Sequence, residues 1–393
     1  MPMVRLKLSV RCGPVFAGRV IAVAPRVRTR LMVMKYSRAI LLGICVVIAT
    51  TGWAQEGTQA TDASGATVVK KSGLPVDVAG YVSFRRLNDV VLSTYAFNRE
   101  YAGSLFVSKT VGSWRFHSEI NATSEPEYDA EGIRLFPRRP SLSIKLDSAL
   151  VNYNARDWFQ IEAGFLFVPT YWRTHRYQST TMTVDEPLMD QHVFPTAFKG
   201  AEVHGDKYFE SGGLSYQIYM GQSQEKHFSN DAVDHSRAFG AKLVLHVPSR
   251  HFLNAFDIGY HRLHELYPRL RRDQGNAVEL YLEKGPVTLL AEFAHSSIRP
   301  VDGSVGHFRE GYYLQPWYRI TPKLFAVGRY EYLDRHNRLA DRNALGRQSA
   351  GLTYRPVPDL SLKVSAERYE PERGSLPAYY GAAMGIVYFF HLQ

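Results

Sequence analysis

Seven acidic, basic or histidine residues fall within one stretch of this chain: Arg173, His175, Arg176, Asp185, Glu186, Asp190 and His192, all between Val168 and Ala197. Cations gather in its first part and acids in its second. Set across a narrow aqueous passage, opposed charges of this kind would order water and sort small solutes by size and sign. A solvated surface loop would carry the same residue types, since charged loops usually face water. Its length favours a role, because structureless connections beyond about 12–15 residues are uncommon.

Other constellations point to weaker chemistry. Arg262, Arg269, Arg271 and Arg272 form a basic group. It could draw anions, or pair with phosphate groups, for which guanidinium is well shaped. It could equally be a solvated loop face. Glu125, Glu127, Asp129 and Glu131 place carboxylates at alternate positions, and oxygen ligands suit a divalent cation. The glycine and spacing of a calcium loop are missing, so no metal is assigned. His261-Arg262-Leu263-His264-Glu265 matches neither zinc-protease order. There is no Gly-x-Ser-x-Gly elbow, no phosphate-binding loop and no dinucleotide fingerprint. The expectation is therefore no catalytic residue, no cofactor and no metal site.

What must position these residues is a rhythm. From residue 76 to 393 the chain reads as sixteen short segments of period-2 alternation. In Trp114-Arg115-Phe116-His117-Ser118-Glu119-Ile120-Asn121 the polar residues share one face and the apolar ones the other; Leu360 to Glu367 repeats the split. Segments are placed near 76–87, 101–110, 113–122, 141–153, 253–262, 275–284, 323–334 and 347–356, among others. Short turns such as Gly285-Pro286, Thr321-Pro322 and Val357-Pro358 alternate with longer connections at 123–140, 168–197 and 297–310. Tyr, Phe and Trp number 24, 21 and 5, and many sit at segment ends, as in interfacial girdles. The fold class these features predict is all-β: a closed antiparallel transmembrane β-barrel of about sixteen strands.

A sixteen-stranded barrel has a lumen too wide for side chains to fill. Its inner faces are expected to be polar because they meet water. The inward set includes Arg115, His117, Glu119, Lys145, Arg319, Arg329, Glu331, Lys363 and Glu367. Asp147, Glu162, Glu202, Glu279 and Glu292 join them, and acids outnumber bases on this wall.

The N-terminal region reads separately. Met34 to Arg38 is a short basic start, Ala39 to Thr51 an apolar core, and Gly52-Trp53-Ala54 a small-residue end. Residues 34–54 thus read as a signal peptide. Residues 1–33 read as a spurious extension upstream of that start, and 55–75 as a flexible periplasmic lead-in. The formal net charge of +10 comes from 47 basic and 37 acidic residues. Nine of the bases and none of the acids lie in residues 1–54, which leaves 38 basic against 37 acidic. No nucleic-acid partner is implied. Cys12 and Cys45, the two cysteines, also lie in this leader.

The stretch Phe159 to Pro169, then Asp185-Glu186-Pro187, Phe194-Pro195 and Lys199-Gly200-Ala201-Glu202-Val203-His204-Gly205 resembles bacterial outer-membrane porins. It is most similar to the phosphate-selective family. The shared layout is a strand ending Gly-x-x-x-x-Pro, a long loop, and a Gly-x-x-x-x-Gly strand. The resemblance implies a Gram-negative outer-membrane location and lipid and lipopolysaccharide as surroundings. It also implies passage of small hydrophilic solutes or ions, a third external loop folded inward, and a homotrimer. Two other readings stay open: a barrel enzyme of lipase or protease type, and a non-conducting scaffold for a partner.

Overall fold

The computed structural model of the protein describes residues 76–91, 94–125, 141–174, 181–210, 212–224, 236–248, 253–267, 270–337, 340–371 and 378–392. The strands are β1 (Asp77–Val91), β2 (Thr94–Val111), β3 (Trp114–Glu125), β4 (Ser141–Arg156), β5 (Phe159–Phe167), β6 (Ala197–Phe209), β7 (Gly212–Gln224) and β8 (Arg237–Val247). They continue as β9 (Ala255–Tyr267), β10 (Arg271–Lys284), β11 (Val287–Pro300), β12 (His307–Thr321), β13 (Leu324–Asn337), β14 (Ala340–Val357), β15 (Leu360–Pro371) and β16 (Tyr379–Leu392). Each pairs with its sequence neighbours, and β1 pairs antiparallel with β16, from Val78 opposite Leu392 to Asn88 opposite Ala382. Closure leaves no edge, which is what a sheet needs in a medium that cannot hydrogen-bond its backbone.

Alternation turns this sheet inside out relative to a soluble barrel. Along β11, Thr288, Leu290, Glu292, Ala294, Ser296 and Ile298 are buried toward the interior. Val287 and Phe293 lie exposed on the other face. Phe116, Ile120, Leu146, Ile218, Leu243 and Ile386 are exposed in the same way. Large apolar side chains covering an outer surface mark contact with an apolar medium.

The structure corrects three expectations. Strands end at the expected short turns, but on the other side several run further than the pattern suggested. β2 begins at Thr94 instead of residue 101, β9 reaches Tyr267 instead of 262, and β14 begins at Ala340 instead of 347. The basic group therefore sits largely on strands: Arg262 in β9, Arg271 and Arg272 at the start of β10. Arg269 lies outside the described residues, as does most of the acidic run at 125–131. The second correction is on β4. The register shifts between Glu119 and Ile120, which pair with Ser148 and Leu146. Asp147 is the extra residue and accepts a 3.0 Å hydrogen bond from the Asn121 amide. A strict period-2 reading inverts there, so Ser148 and Asn152 face inward beyond it.

The third concerns the inner face, which is not uniformly polar. Leu263, Ala277, Leu290, Ala294 and Leu333 join Leu188, Met189, Val193, Phe194 and Phe198 in one buried apolar cluster. Part of the wall is dry because a loop covers it.

The glycines of the sequence motif have a steric reason. Gly164 pairs with Gly200, which pairs with Gly221. A Cβ at Gly200 would stand 2.0 Å from the Met220 carbonyl oxygen. At Gly164, φ is +140° and a Cβ would stand 2.1 Å from the Ala149 oxygen. Only glycine permits the backbone to come so close.

Candidate functional site

The site is built by the connection between β5 and β6. It holds two short helical turns, α1 (Tyr171–Thr174) and α2 (Leu188–His192). Arg173 staples it internally. Its Nε donates to Asp190 Oδ2 at 3.1 Å, and its Nη groups donate to the carbonyls of Pro195 and Asp190. Thr170 Oγ1 donates to the other Asp190 oxygen at 2.7 Å. Burial pushes the Asp190 carboxyl above its usual range, and the Arg173 charge beside it works in the opposite direction.

The far side of this loop meets the barrel. In a ring of sixteen strands, β13 and β14 stand nearly opposite β5 and β6. Leu188 N–H donates to Glu331 Oε2 on β13 at 2.7 Å. That carboxylate caps α2, whose preceding residue, Pro187, makes no side-chain cap. Arg329 of β13 donates to Thr183 Oγ1 and to the Asp185 carbonyl, both at 2.9 Å. Arg347 of β14 donates to the Glu186 carbonyl at 2.5 Å and lies 3.6 Å from the Asp185 carboxylate. Nearer the short turns, Thr353 donates to the Met182 carbonyl at 2.5 Å and Lys363 of β15 to Thr181 Oγ1 at 2.7 Å.

Glu331 is the hub of these contacts. It is 0% exposed and pairs with Arg329 and, at 2.8 Å, with Arg347. Two guanidiniums held around one carboxylate is a geometry in which each buried charge is answered. Apolar packing adds to the grip. Gly275 on β10 has no Cβ, and the Phe194 ring takes that space, 2.2 Å from where one would stand.

The residues singled out by sequence fall into groups. Arg173 and Asp190 are buried within the loop and engaged with each other. Asp185 and Glu186 are half-buried at the β13–β14 contact. His175 and Arg176 lie outside the described residues, and so does the side chain of His192. Arg329, Glu331 and Lys363 are buried and hold the loop; Glu367 is buried and accepts from Tyr369 at 2.6 Å. Glu119 is also buried, while His117 is half-buried and stacks on Phe106 with ring centroids 6.1 Å apart. Arg115, Lys145 and Arg319 are exposed. Each alternates with outward apolar neighbours such as Trp114, Ile144 and Tyr318, which turns it toward the lumen. Sequence reasoning missed Arg347, which lay at an expected strand end. It also missed Thr181, Thr183 and Thr353, neutral residues in a charged stretch.

No family model matches the chain, and no curated protein matches it. Solved structures do. Salmonella typhi OmpF in complex with daunomycin is similar at 12% identity and TM-score 0.56, covering 80% of this chain and 97% of that one. The anion-selective porin from Comamonas acidovorans is similar at 11% identity and TM-score 0.57, covering 80% and 99%. Outer-membrane expressed OmpT of Vibrio cholerae gives 9% and 0.53, covering 82% and 99%. At such identities the likeness is one of fold: the chain has the barrel of bacterial outer-membrane porins.

Proposed function

We propose that this protein is an outer-membrane porin of a Gram-negative bacterium. It passes small hydrophilic solutes or ions by diffusion through a water-filled lumen narrowed by the β5–β6 loop. The observation that supports this reading is the clamp of Arg329, Glu331, Arg347 and Lys363 on the far wall onto residues 181–188 of that loop. A loop tethered across a barrel by buried ion pairs fixes the free cross-section, and a fixed cross-section is what sieving requires. Arg115, Lys145 and Arg319 are the lumen-facing cations a solute would meet. Asp185 and Glu186 are the constriction acids.

The layout from Gly164 to Gly205 supports the phosphate-selective type. The buried bases, however, are held by loop carbonyls and wall acids, so exposed Arg115, Lys145 and Arg319 would carry any anion preference. Export by the signal at 34–54 and surroundings of lipid and lipopolysaccharide belong to the same reading. So does a homotrimer, in line with the Vibrio cholerae OmpT described as a trimer form. Single-channel recording of refolded residues 55–393 in a planar bilayer tests the proposal. Steady open steps are expected, and Arg173→Ala with Arg176→Ala is expected to change conductance. Silence from folded protein would reject it.

One observation favours a second reading, the barrel enzyme. Ser215 Oγ lies 2.7 Å from His246 Nε2, and His246 Nδ1 lies 2.8 Å from Asp257 Oδ1. This is a nucleophile–base–carboxylate chain by geometry. Among the described residues, the backbone N–H groups around it belong to the β7–β8–β9 ladder, which supplies no oxyanion donors. Hydrolysis of a nitrophenyl ester that disappears with Ser215→Ala would establish this activity; equal rates for both proteins would dismiss it.

A further inference from the structure

We propose that Glu162, Glu202 and His204 form a binding site for a divalent transition-metal ion on the inner wall at β5–β6. Glu162 and Glu202 are directly opposed in the ladder, and His204 follows two residues on along β6, facing Gln160. Alternation puts all three on the inner face, because Ile161 between them is exposed on the outer one. One ligand atom from each residue lies within 4.8 Å of the other two. Small side-chain rotations close such a set onto an ion at about 2.0–2.2 Å from each.

Two observations separate this cluster from an ordinary acidic patch. The first is charge. Like charges directly opposite on neighbouring strands repel, and Glu202 is only 5% exposed. Among the described residues, no cation lies within ion-pair distance of either carboxylate. Lys242, the nearby wall lysine, is held by Glu279 at 2.8 Å. Cations answer two other buried acids of this wall: Glu331 has two arginines and Glu279 has Lys242, while Glu292 accepts from the Tyr313 hydroxyl.

The second is the surround. Neutral amides from both flanking strands orient the three groups. Asn152 on β4 lies 3.3 Å from His204 Nε2. Gln217 on β7 donates to Glu202 Oε1 at 3.4 Å. Such amide contacts can hold the orientation of ligands without neutralising their charge. One imidazole and two carboxylates suit borderline ions such as Zn²⁺, Mn²⁺ or Cu²⁺, with water completing the coordination.

The test uses refolded protein in detergent micelles, folding being checked by heat-modified gel mobility, and needs no conduction. Calorimetric titration with Zn²⁺ is expected to show one site that weakens at least about 100-fold in Glu202→Gln and His204→Gln, the upper end of what losing even an outer-shell partner costs. His295→Gln, on the outer face, is expected to leave it unchanged. Cu²⁺ in the same protein is expected to give an electron paramagnetic resonance spectrum with coupling to one imidazole nitrogen. If Glu202→Gln does not fold, Glu162→Gln leaves the Glu202–Gln217 contact in place and makes the same comparison. No Zn²⁺ binding below about 1 mM, the weak end of ordinary ligand affinity, or binding equal in wild type and variants, would overturn the site.

Discussion

On β13 and β14 a buried carboxylate, Glu331, lies between Arg329 and Arg347. On β5 and β6, nearly opposite in the ring, two carboxylates, Glu162 and Glu202, face each other beside His204, with no cation in ion-pair contact among the described residues. Both patches are ionic and both face inward. The first is closed, each charge being answered by a partner and by the loop. The second is open only in the sense that it has no cation partner among the described residues. Ionic residues on one barrel wall thus divide into those that hold structure and those that can meet a solute. Counting them, as a net wall charge does, loses that division.

The sharpest way to break this comparison is Glu331→Ala. It leaves Arg329 without a carboxylate, Arg347 with only Asp185 at 3.6 Å, and α2 without its cap. Losing one partner of a buried pair costs about 3–5 kcal/mol. Denaturant titration followed by tryptophan fluorescence is expected to show a fall of that order, and planar-bilayer recording a larger, noisier conductance. A stability change near zero would mean that the clamp is incidental.

Gly200→Ala is next. Its new methyl meets the Met220 carbonyl, and forced overpacking costs about 1–3 kcal/mol. The same titration measures it, and a normal denaturation midpoint would mean that β6 and β7 separate freely. Lys363→Met removes one hydrogen-bonding group from the loop anchor while keeping the stem. A loss of about 1 kcal/mol is expected, with a small rise in conductance. Arg115→Glu is expected to leave stability within about 0.5 kcal/mol, as exposed substitutions do, while moving the reversal potential in a KCl gradient toward cations. Were Arg115→Glu to destabilise as much as Glu331→Ala, the distinction between closed and open patches would fail.

The barrel was legible because the pleat repeats. Each strand crossing an apolar medium must alternate, and turns such as Gly285-Pro286 end that alternation cleanly. The far ends were not legible for the complementary reason. Before about residue 347 in β14 the sequence Asp341-Arg342-Asn343 is polar at consecutive positions, so the period vanishes although the ladder continues. Arg329, Glu331, Lys363 and Glu367 were readable as inward by counting in twos. What they hold was not, because Arg329, Arg347 and Thr353 bind the loop at main-chain oxygens, which leave no trace in residue type. Asp147 shows the limit of counting: one extra residue inverts the pattern, and nothing about an aspartate announces a bulge.

The clamp's choice of partner bears on how such a chain can change over generations. Arg329 and Arg347 grip the carbonyls of Asp185 and Glu186, Thr353 that of Met182, and Arg355 that of Thr181. Every residue type presents the same carbonyl. Substitutions at 182 and 186, which are held only by their carbonyls, can therefore alter what the loop shows to passing molecules while its fastening stays the same. The anchorage and the filter are written in different alphabets, and selection can revise one without disturbing the other.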